Sequence, residues 1–135
     1  MDVTNSTIRT TEEFWSRCLP GEHEAAIEMM DREFVHDDRR GMLANTIFGR
    51  EQAMANNRTV VELGFESVTF EPVAVRGDLL ALTRAIFRTA GGDGLAGLQL
   101  LGTNGDGLRT FCVSFDVDDL GRAMDELDAR HRASG

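Results

Sequence analysis

The sequence has 135 residues, of which 41% are hydrophobic and 27% are charged. This length and composition are typical of one globular domain with its own hydrophobic core, and they exclude a disordered or fibrous chain. The formal net charge is −9 at pH 7, and the 14 basic residues are scattered singly or in pairs. Since phosphate backbones and anionic lipid surfaces are bound by clustered positive charge, we predict no nucleic-acid partner and no membrane partner.

Two features of the sequence predict a cytoplasmic location. No apolar run approaches the roughly 20 residues that span a bilayer, and the first twelve residues lack the apolar core of a signal peptide.

Cys18 and Cys112 are far apart and lie in apolar surroundings. We favour two buried thiols in a reducing compartment, and a disulfide between them is the alternative.

The first half of the chain predicts three helices. Thr10 and Glu13 fit a capping box at the start of the first helix, and Pro20 stops it. A second, short helix carries a buried stripe at i, i+3, i+4, i+7 spacing, and the third runs from Arg50 to Leu63. The predicted inward-facing residues are Phe14, Trp15, Cys18 and Leu19 in the first helix, His23, Ala26, Ile27 and Met30 in the second, and Ala53, Met54, Val60 and Val61 in the third.

The second half predicts an antiparallel meander of four strands. Its apolar and β-branched stretches are separated by turns rich in Gly, Asp and Asn, which tolerate the positive φ of tight hairpins. Asp116 can then cap a closing helix that carries its acidic residues early and its basic residues late. The predicted strands are Val68–Val75, Leu79–Thr89, Leu95–Thr103 and Leu108–Phe115.

These elements predict an α+β fold. Three N-terminal helices pack on a curved antiparallel sheet, a C-terminal helix closes the chain, and one domain spans residues 1–135. A bent sheet wrapped over helices leaves a hollow at its wide end, and ligands bind in such hollows. An open sheet face also needs covering, which predicts a homodimer. The candidate exposed apolar positions are Leu80, Leu82 and Ile86 on one strand, or Leu98 and Leu100 on the next.

Several segments carry a family resemblance. The order of elements is similar to that of nuclear-transport-factor-2-like proteins. Two helices precede EFVHDDRR, a loop ending in FGREQAM leads to another helix, and EPVAVRGDLLALTRAIFRT follows. The ending SFDVDDLGRAMDELDARH resembles the closing helix of a SnoaL-like group from actinobacteria. The likeness runs from about Thr11 to His131 and implies the cone-shaped α+β fold of these proteins. It also implies a homodimer or a terminal domain of a larger protein, but no single activity, since this fold hosts many functions.

The segment FVHDDRR holds the candidate catalytic residues. Strand alternation places Asp37 on one face of this segment and places His36 and Asp38 on the other. In ketosteroid isomerases the general base is an aspartate in a similar Val-x-Asp, and this resemblance maps Asp37 onto the base. An aspartate that faces the hollow is partly desolvated and becomes a better proton acceptor. One predicted face carries Val35, Asp37 and Arg39, and the other carries Phe34, His36, Asp38 and Arg40.

Other features oppose isomerase chemistry. The chain has no tyrosine, so the phenol donor of those isomerases has no counterpart, and the only acid on the meander strands is Glu71. Arg39 and Arg40 would keep a neighbouring aspartate ionised, which weakens it as a base. The alternative for FVHDDRR is a solvent-facing strand whose charges pair across neighbouring strands.

The function predicted from these patterns is the non-catalytic binding of a small hydrophobic molecule, or an interaction module. The alternative is a SnoaL-like isomerase, cyclase or hydrolase that uses Asp37 or Asp38 as general base on a polyketide-like or terpenoid-like substrate, with His36 as a further candidate. Trp15 either lines the pocket or fills the core. The predicted pocket residues are Phe14, Trp15, Met30, Phe34 and Phe111.

No cofactor and no metal site are predicted. The glycine-rich turns lie between strands and lack the strand–turn–helix context of a phosphate-binding loop. The cysteines are isolated, and His36 with Asp37 and Asp38 lacks a third ligand at a recognisable spacing.

Overall fold

The computed structural model describes residues 4–41 and 45–134. These residues form helices and strands in the order helix, helix, two strands, helix, four strands, helix. The elements are α1 (Ser6–Cys18), α2 (His23–Ile27), β1 (Met30–Asp38), β2 (Asn45–Phe48), α3 (Arg50–Glu62), β3 (Phe65–Arg76), β4 (Leu80–Thr89), β5 (Gly94–Thr103), β6 (Arg109–Phe115) and α4 (Leu120–Ser134).

The first helix begins four residues before the predicted capping box. Asn5 is its N-cap, and the Asn5 side chain accepts a hydrogen bond from the Ile8 amide at 3.1 Å. The Asn5 amide group also donates to the carbonyl of Leu80 at 2.9 Å, which ties the helix start to β4. Thr10 therefore lies inside α1, because a cap with both local and long-range hydrogen bonds outcompetes the local Thr10–Glu13 pattern.

Met30 is in a strand and not in the second helix, which corrects the prediction. The α2 helix ends at Ile27, and Met30 opens β1, where it pairs with Arg109 of β6. The Arg109 amide donates to the Met29 carbonyl at 2.8 Å, so sheet pairing takes the backbone groups that another helical turn would need. The Met30 side chain is nonetheless fully buried.

The sheet is curved and unclosed, with the strand order β2-β1-β6-β5-β4-β3. The predicted antiparallel meander of β3 to β6 is confirmed, and so is the α+β fold class. The β1 strand runs parallel to β6, because the chain passes through α3 and the whole meander before it returns beside β1. The short strand β2 pairs with β1 and falls in the segment that was predicted to be a loop.

Helices cover both faces of the sheet. The helices α1 to α3 pack on one face, which we call the inner face, and α4 packs on the opposite, outer face. The sheet positions predicted to be exposed are buried, and all of them except Ile86 pack in the outer cluster with Ala123 and Leu127 of α4. The outer cluster consists of Leu80, Leu82, Leu98, Leu100, Val113, Phe115, Ala123 and Leu127.

The closing helix begins at Leu120, so its cap position differs from the prediction. The Ala123 amide donates to the Asp119 carbonyl at 3.0 Å, which makes Asp119 and not Asp116 the residue before the first turn. Two ion pairs then fasten α4 to the sheet. Arg76 Nε donates to Asp128 at 2.9 Å, and Arg39 Nη1 donates to Glu126 at 2.8 Å. Of the helices within residues 4–41 and 45–134, none is both long enough and apolar enough to cross a membrane.

Candidate functional site

A cavity of about 210 Å³ lies between the inner face of the sheet and the helices α1 and α3. Most of its surface is apolar, and its lining residues range from buried at one end to exposed at the other. Phe34 and Ala53 are buried and line its inner end, whereas Leu63 and Leu95 are 68% and 53% exposed and line its mouth. The lining residues are Trp15, Phe34, His36, Arg40, Ala53, Asn56, Asn57, Val60, Leu63, Phe65, Phe87, Leu95, Gln99, Arg109, Cys112 and Ser114.

Strand β1 divides its side chains between the two faces as alternation predicts. Phe34, His36 and Arg40 line the cavity. Asp37 instead belongs to the outer face, where its carboxylate accepts a hydrogen bond from Arg39 Nε at 2.8 Å and Arg39 continues to α4. The structure therefore places Asp37 in the ion-pair network that fastens α4, and not in the wall of the cavity.

Asp38 lies on the cavity side of β1 and is held by Arg40. Its carboxylate accepts hydrogen bonds from Arg40 Nε at 2.9 Å, from Arg40 Nη2 at 2.7 Å and from the Arg40 amide at 3.1 Å. Burial tends to raise the pKa of Asp38, but the hydrogen bonds and charge of Arg40 outweigh it, so the pKa lies below its usual value. An ionised, saturated carboxylate is a weak proton acceptor at neutral pH.

His36 stands beside two other polar side chains in the cavity wall. Its Nε2 is 3.0 Å from Ser114 Oγ, and its backbone pairs with that of Cys112 on β6. Burial acts to lower the pKa of His36, but interactions with Cys112 and then with Asp38 outweigh burial and raise it. His36 in turn lowers the pKa of the Cys112 thiol against the effect of burial, and the charge of Arg109 lowers it further. By contrast, burial raises the pKa of Cys18 to about 12.

Arg109 is a functional candidate that the sequence analysis did not select. Only 4% of it is exposed, and its guanidinium carbon lies 4.5 Å from the ring centre of Phe14 and 5.1 Å from that of Phe34. No carboxylate of the described residues pairs with it, and burial lowers its pKa. The available signal was a single arginine inside the apolar segment that runs from Leu108 to Phe115.

The predicted pocket residues separate into three groups. Trp15 and Phe34 line the cavity. Phe14 and Met30 are fully buried in the hydrophobic core between the helices and the inner face of the sheet, and they are not part of the cavity wall. Phe111 lies on the outer face, with the guanidinium carbon of Arg130 4.0 Å from its ring centre, because alternation along β6 directs Cys112 and Ser114 inward and Phe111 outward.

A cluster of acids lies away from the cavity, before α4. Carboxylate oxygens of Asp116, Asp118 and Asp119 lie within 4.8 Å of one another and offer the kind of ligand atoms that hard cations take. The three side chains are exposed or half-buried. Such a cluster at the surface of an acidic protein is no evidence of a bound ion by itself.

Comparison with known proteins concerns the fold. No family model and no curated protein matches the sequence. Among solved structures, a Mycobacterium tuberculosis protein in complex with estradiol-17beta-hemisuccinate matches with a TM-score of 0.67 and 16% identity, covering 85% of this chain and 97% of that one. The Delta 5-3-ketosteroid isomerase of a Mycobacterium species matches with a TM-score of 0.66 and 14% identity, covering 86% and 96%.

A third similar structure is an NTF2-like protein of unknown function from Mesorhizobium loti, with a TM-score of 0.64 and 19% identity, covering 85% of this chain and 93% of that one. Together these likenesses show that the chain has the nuclear-transport-factor-2-like fold, which confirms the resemblance at the level of the fold. The finer assignment to a SnoaL-like group from actinobacteria stays a prediction.

Proposed function

We propose that this chain, with its nuclear-transport-factor-2-like fold, binds a small and largely apolar molecule in the cavity between α1, α3 and the inner face of the sheet. The observation that carries the proposal is a cavity of about 210 Å³ with a buried inner end and a mouth flanked by exposed leucines. Leu63 and Leu95 are costly to leave in water, and a ligand that extends through the mouth would cover them.

The size of the cavity limits the ligand. An apolar cavity of about 150 Å³ is large enough for benzene, so this one accommodates a body somewhat larger than one six-membered ring. Longer molecules would have to extend through the mouth. The Mycobacterium tuberculosis protein of the same fold was solved in complex with estradiol-17beta-hemisuccinate, which supports a small-molecule-binding role.

The proposal is tested by filling the cavity from α3. Ala53 lines the inner end and is 2% exposed, so Ala53→Phe places a ring in the ligand's volume. The matched control is Ala55→Phe, at an exposed position of the same helix. The assay is a thermal shift with small apolar probes, including toluene, cyclohexanone and cyclohexanecarboxamide.

We expect a bound probe at one hundred times its Kd to stabilise the wild type by about 2.7 kcal/mol, which corresponds to a Tm increase of roughly 5–10 °C for a chain of this length. Ala55→Phe should keep this shift, and Ala53→Phe should lose it. Equal shifts in both variants, or no shift with any probe, would contradict binding in this cavity.

A second candidate function is proton transfer on a bound carbonyl compound. The observation that favours it is the pair formed by His36 Nε2 and Ser114 Oγ, 3.0 Å apart in the cavity wall. If His36 acts as the base, the protein accelerates deuterium incorporation beside the carbonyl of cyclohexanone, as followed by NMR. His36→Gln should abolish the acceleration, and Asp37→Asn should retain it; exchange at the uncatalysed rate with the wild type would exclude this function for that probe.

A further inference from the structure

We infer that the ligand of this cavity carries one carboxylate, which Arg109 binds through its guanidinium group, on a compact apolar body. The inference rests on the proposed function and specifies its ligand class. Three observations carry it: the burial of Arg109, the absence of a carboxylate partner for it among the described residues, and the position of Arg109 in the cavity wall.

The first argument is the cost of the buried charge. Arg109 is 4% exposed and lies in the wall of a mostly apolar cavity. A buried cation is strongly unfavourable unless an anion and hydrogen-bond acceptors surround it. Within residues 4–41 and 45–134, no carboxylate lies within ion-pair distance of this guanidinium, and the groups that raise its pKa against the effect of burial are the two thiols Cys112 and Cys18.

The second argument concerns what the two aromatic rings supply. The Arg109 guanidinium carbon is 4.5 Å and 5.1 Å from the ring centres of Phe14 and Phe34, so both contacts are cation–π interactions. A ring attracts the charge but accepts no strong hydrogen bond. The guanidinium has five N–H donors in a planar fork, and these still require acceptor oxygens. The rings therefore fix the position of the cation and leave its donors available to a ligand.

The third argument selects the anion. A carboxylate matches the guanidinium fork with two parallel hydrogen bonds, whereas a neutral carbonyl offers one oxygen. The other arginine of the cavity wall, Arg40, already holds Asp38 through two of its side-chain nitrogens. Of the two arginines that the described residues place in the cavity wall, only Arg109 is thus open to a ligand, which favours a monocarboxylate over a dianion or a polyphosphate.

The experiment compares an acid with its uncharged isostere. Isothermal titration calorimetry of the wild type at pH 7.5 measures cyclohexanecarboxylate against cyclohexanecarboxamide, which have the same shape and differ in charge. We expect the carboxylate to bind at least tenfold more tightly. Arg109→Met keeps an unbranched side chain about as long as the aliphatic stem of arginine and removes the charged guanidinium group, and it should bring the two affinities to within about twofold of each other.

The matched control is Arg84→Met, on the neighbouring part of the sheet. Arg84 is exposed and lies 3.5 Å from Glu71 at the surface, so its loss should leave the preference for the carboxylate unchanged. Arg109→Met is expected to fold, because it removes a buried charge without leaving a partner charge behind. If it does not fold, the comparison of acid and amide on the wild type still decides the inference.

Each result has a definite meaning. Equal affinity of the acid and the amide for the wild type would overturn the inference and leave the proposed function intact. A preference for the acid that survives in Arg109→Met would also overturn it, because another group would then recognise the charge. Binding of toluene without binding of cyclohexanecarboxylate would overturn it as well, whereas failure of every probe, neutral or charged, would remove the proposed function itself.

Discussion

Replacing Gly102 by alanine tests the assignment of Phe111 to the outer face. The two residues are opposite each other on β5 and β6, and the Phe111 ring lies over the Gly102 backbone. A Cβ at residue 102 would be 2.6 Å from Phe111 Cδ1 and 2.7 Å from Cζ. Phe111 Cε1 would lie closer still. Carbon atoms pack at about 3.5–4.0 Å, so the ring must shift by roughly 1.5 Å or leave its position.

The expected cost follows from the surroundings of the ring. Arg130 lies 4.0 Å above it, and it packs against the outer cluster, so it cannot move without breaking these contacts. Overpacking of this kind costs about 1–3 kcal/mol, and alanine returns about 0.5–1 kcal/mol in a strand because it restricts the unfolded chain more than glycine does. We expect Gly102→Ala to lower the free energy of unfolding by about 1–2 kcal/mol.

Urea denaturation, followed by Trp15 fluorescence, measures this change. Gly105→Ala is the control, because Gly105 lies in the next turn with no atom within 4 Å of an added Cβ, and it should cost little. The effect should largely disappear in a Phe111→Leu background, giving a coupling energy of about 1 kcal/mol or more. A Gly102→Ala protein as stable as the wild type, or a cost that persists without the Phe111 ring, would refute the placement of this side chain.

Two further predictions concern titratable groups. Burial tends to raise the pKa of Glu126, but hydrogen bonds from Arg39 and Arg130 outweigh burial and lower this pKa below 4.5. The ionised carboxylate therefore stabilises the fold above pH 4.5, and this stabilisation is lost as the pH falls through the lowered pKa. Glu126→Gln should therefore cost about 1–2 kcal/mol at pH 7 and flatten the fall in Tm between about pH 5 and pH 3; an unchanged acid profile would contradict the network. Iodoacetamide should modify Cys112 before Cys18, as peptide mass spectrometry can follow, because the pKa of Cys112 is lowered and that of Cys18 is about 12; the reverse order would contradict the arrangement of the cavity wall.

The sequence predicted the layers of the fold well because their signals are local. Alternation in FVHDDRR correctly separated Asp37 from His36, and the Gly-rich turns marked the meander. The start of α1 was missed because Asn5 acts through β4, which is 75 residues away in sequence. In the same way, the periodicity that placed Met30 in a helix could not reveal its pairing with β6.

The site was predicted less completely, because it depends on contacts between distant segments. Trp15 and Phe34 line the cavity, but Arg109 became significant only when the sheet brought it next to Phe14 and Phe34. A single arginine in an apolar strand indicates a buried charge, but the sequence alone cannot tell whether an acid of the same chain neutralises it. That question is decided by side-chain distances.

The alternation along β1 also limits how this protein can change during evolution. His36 faces the cavity and Asp37 faces α4, so a single inserted or deleted residue in this strand would exchange the two environments at once. The cavity would then receive a carboxylate, and the ion-pair network that holds α4 would receive an imidazole. Substitutions can remodel either side independently, but a change in strand length would disrupt both.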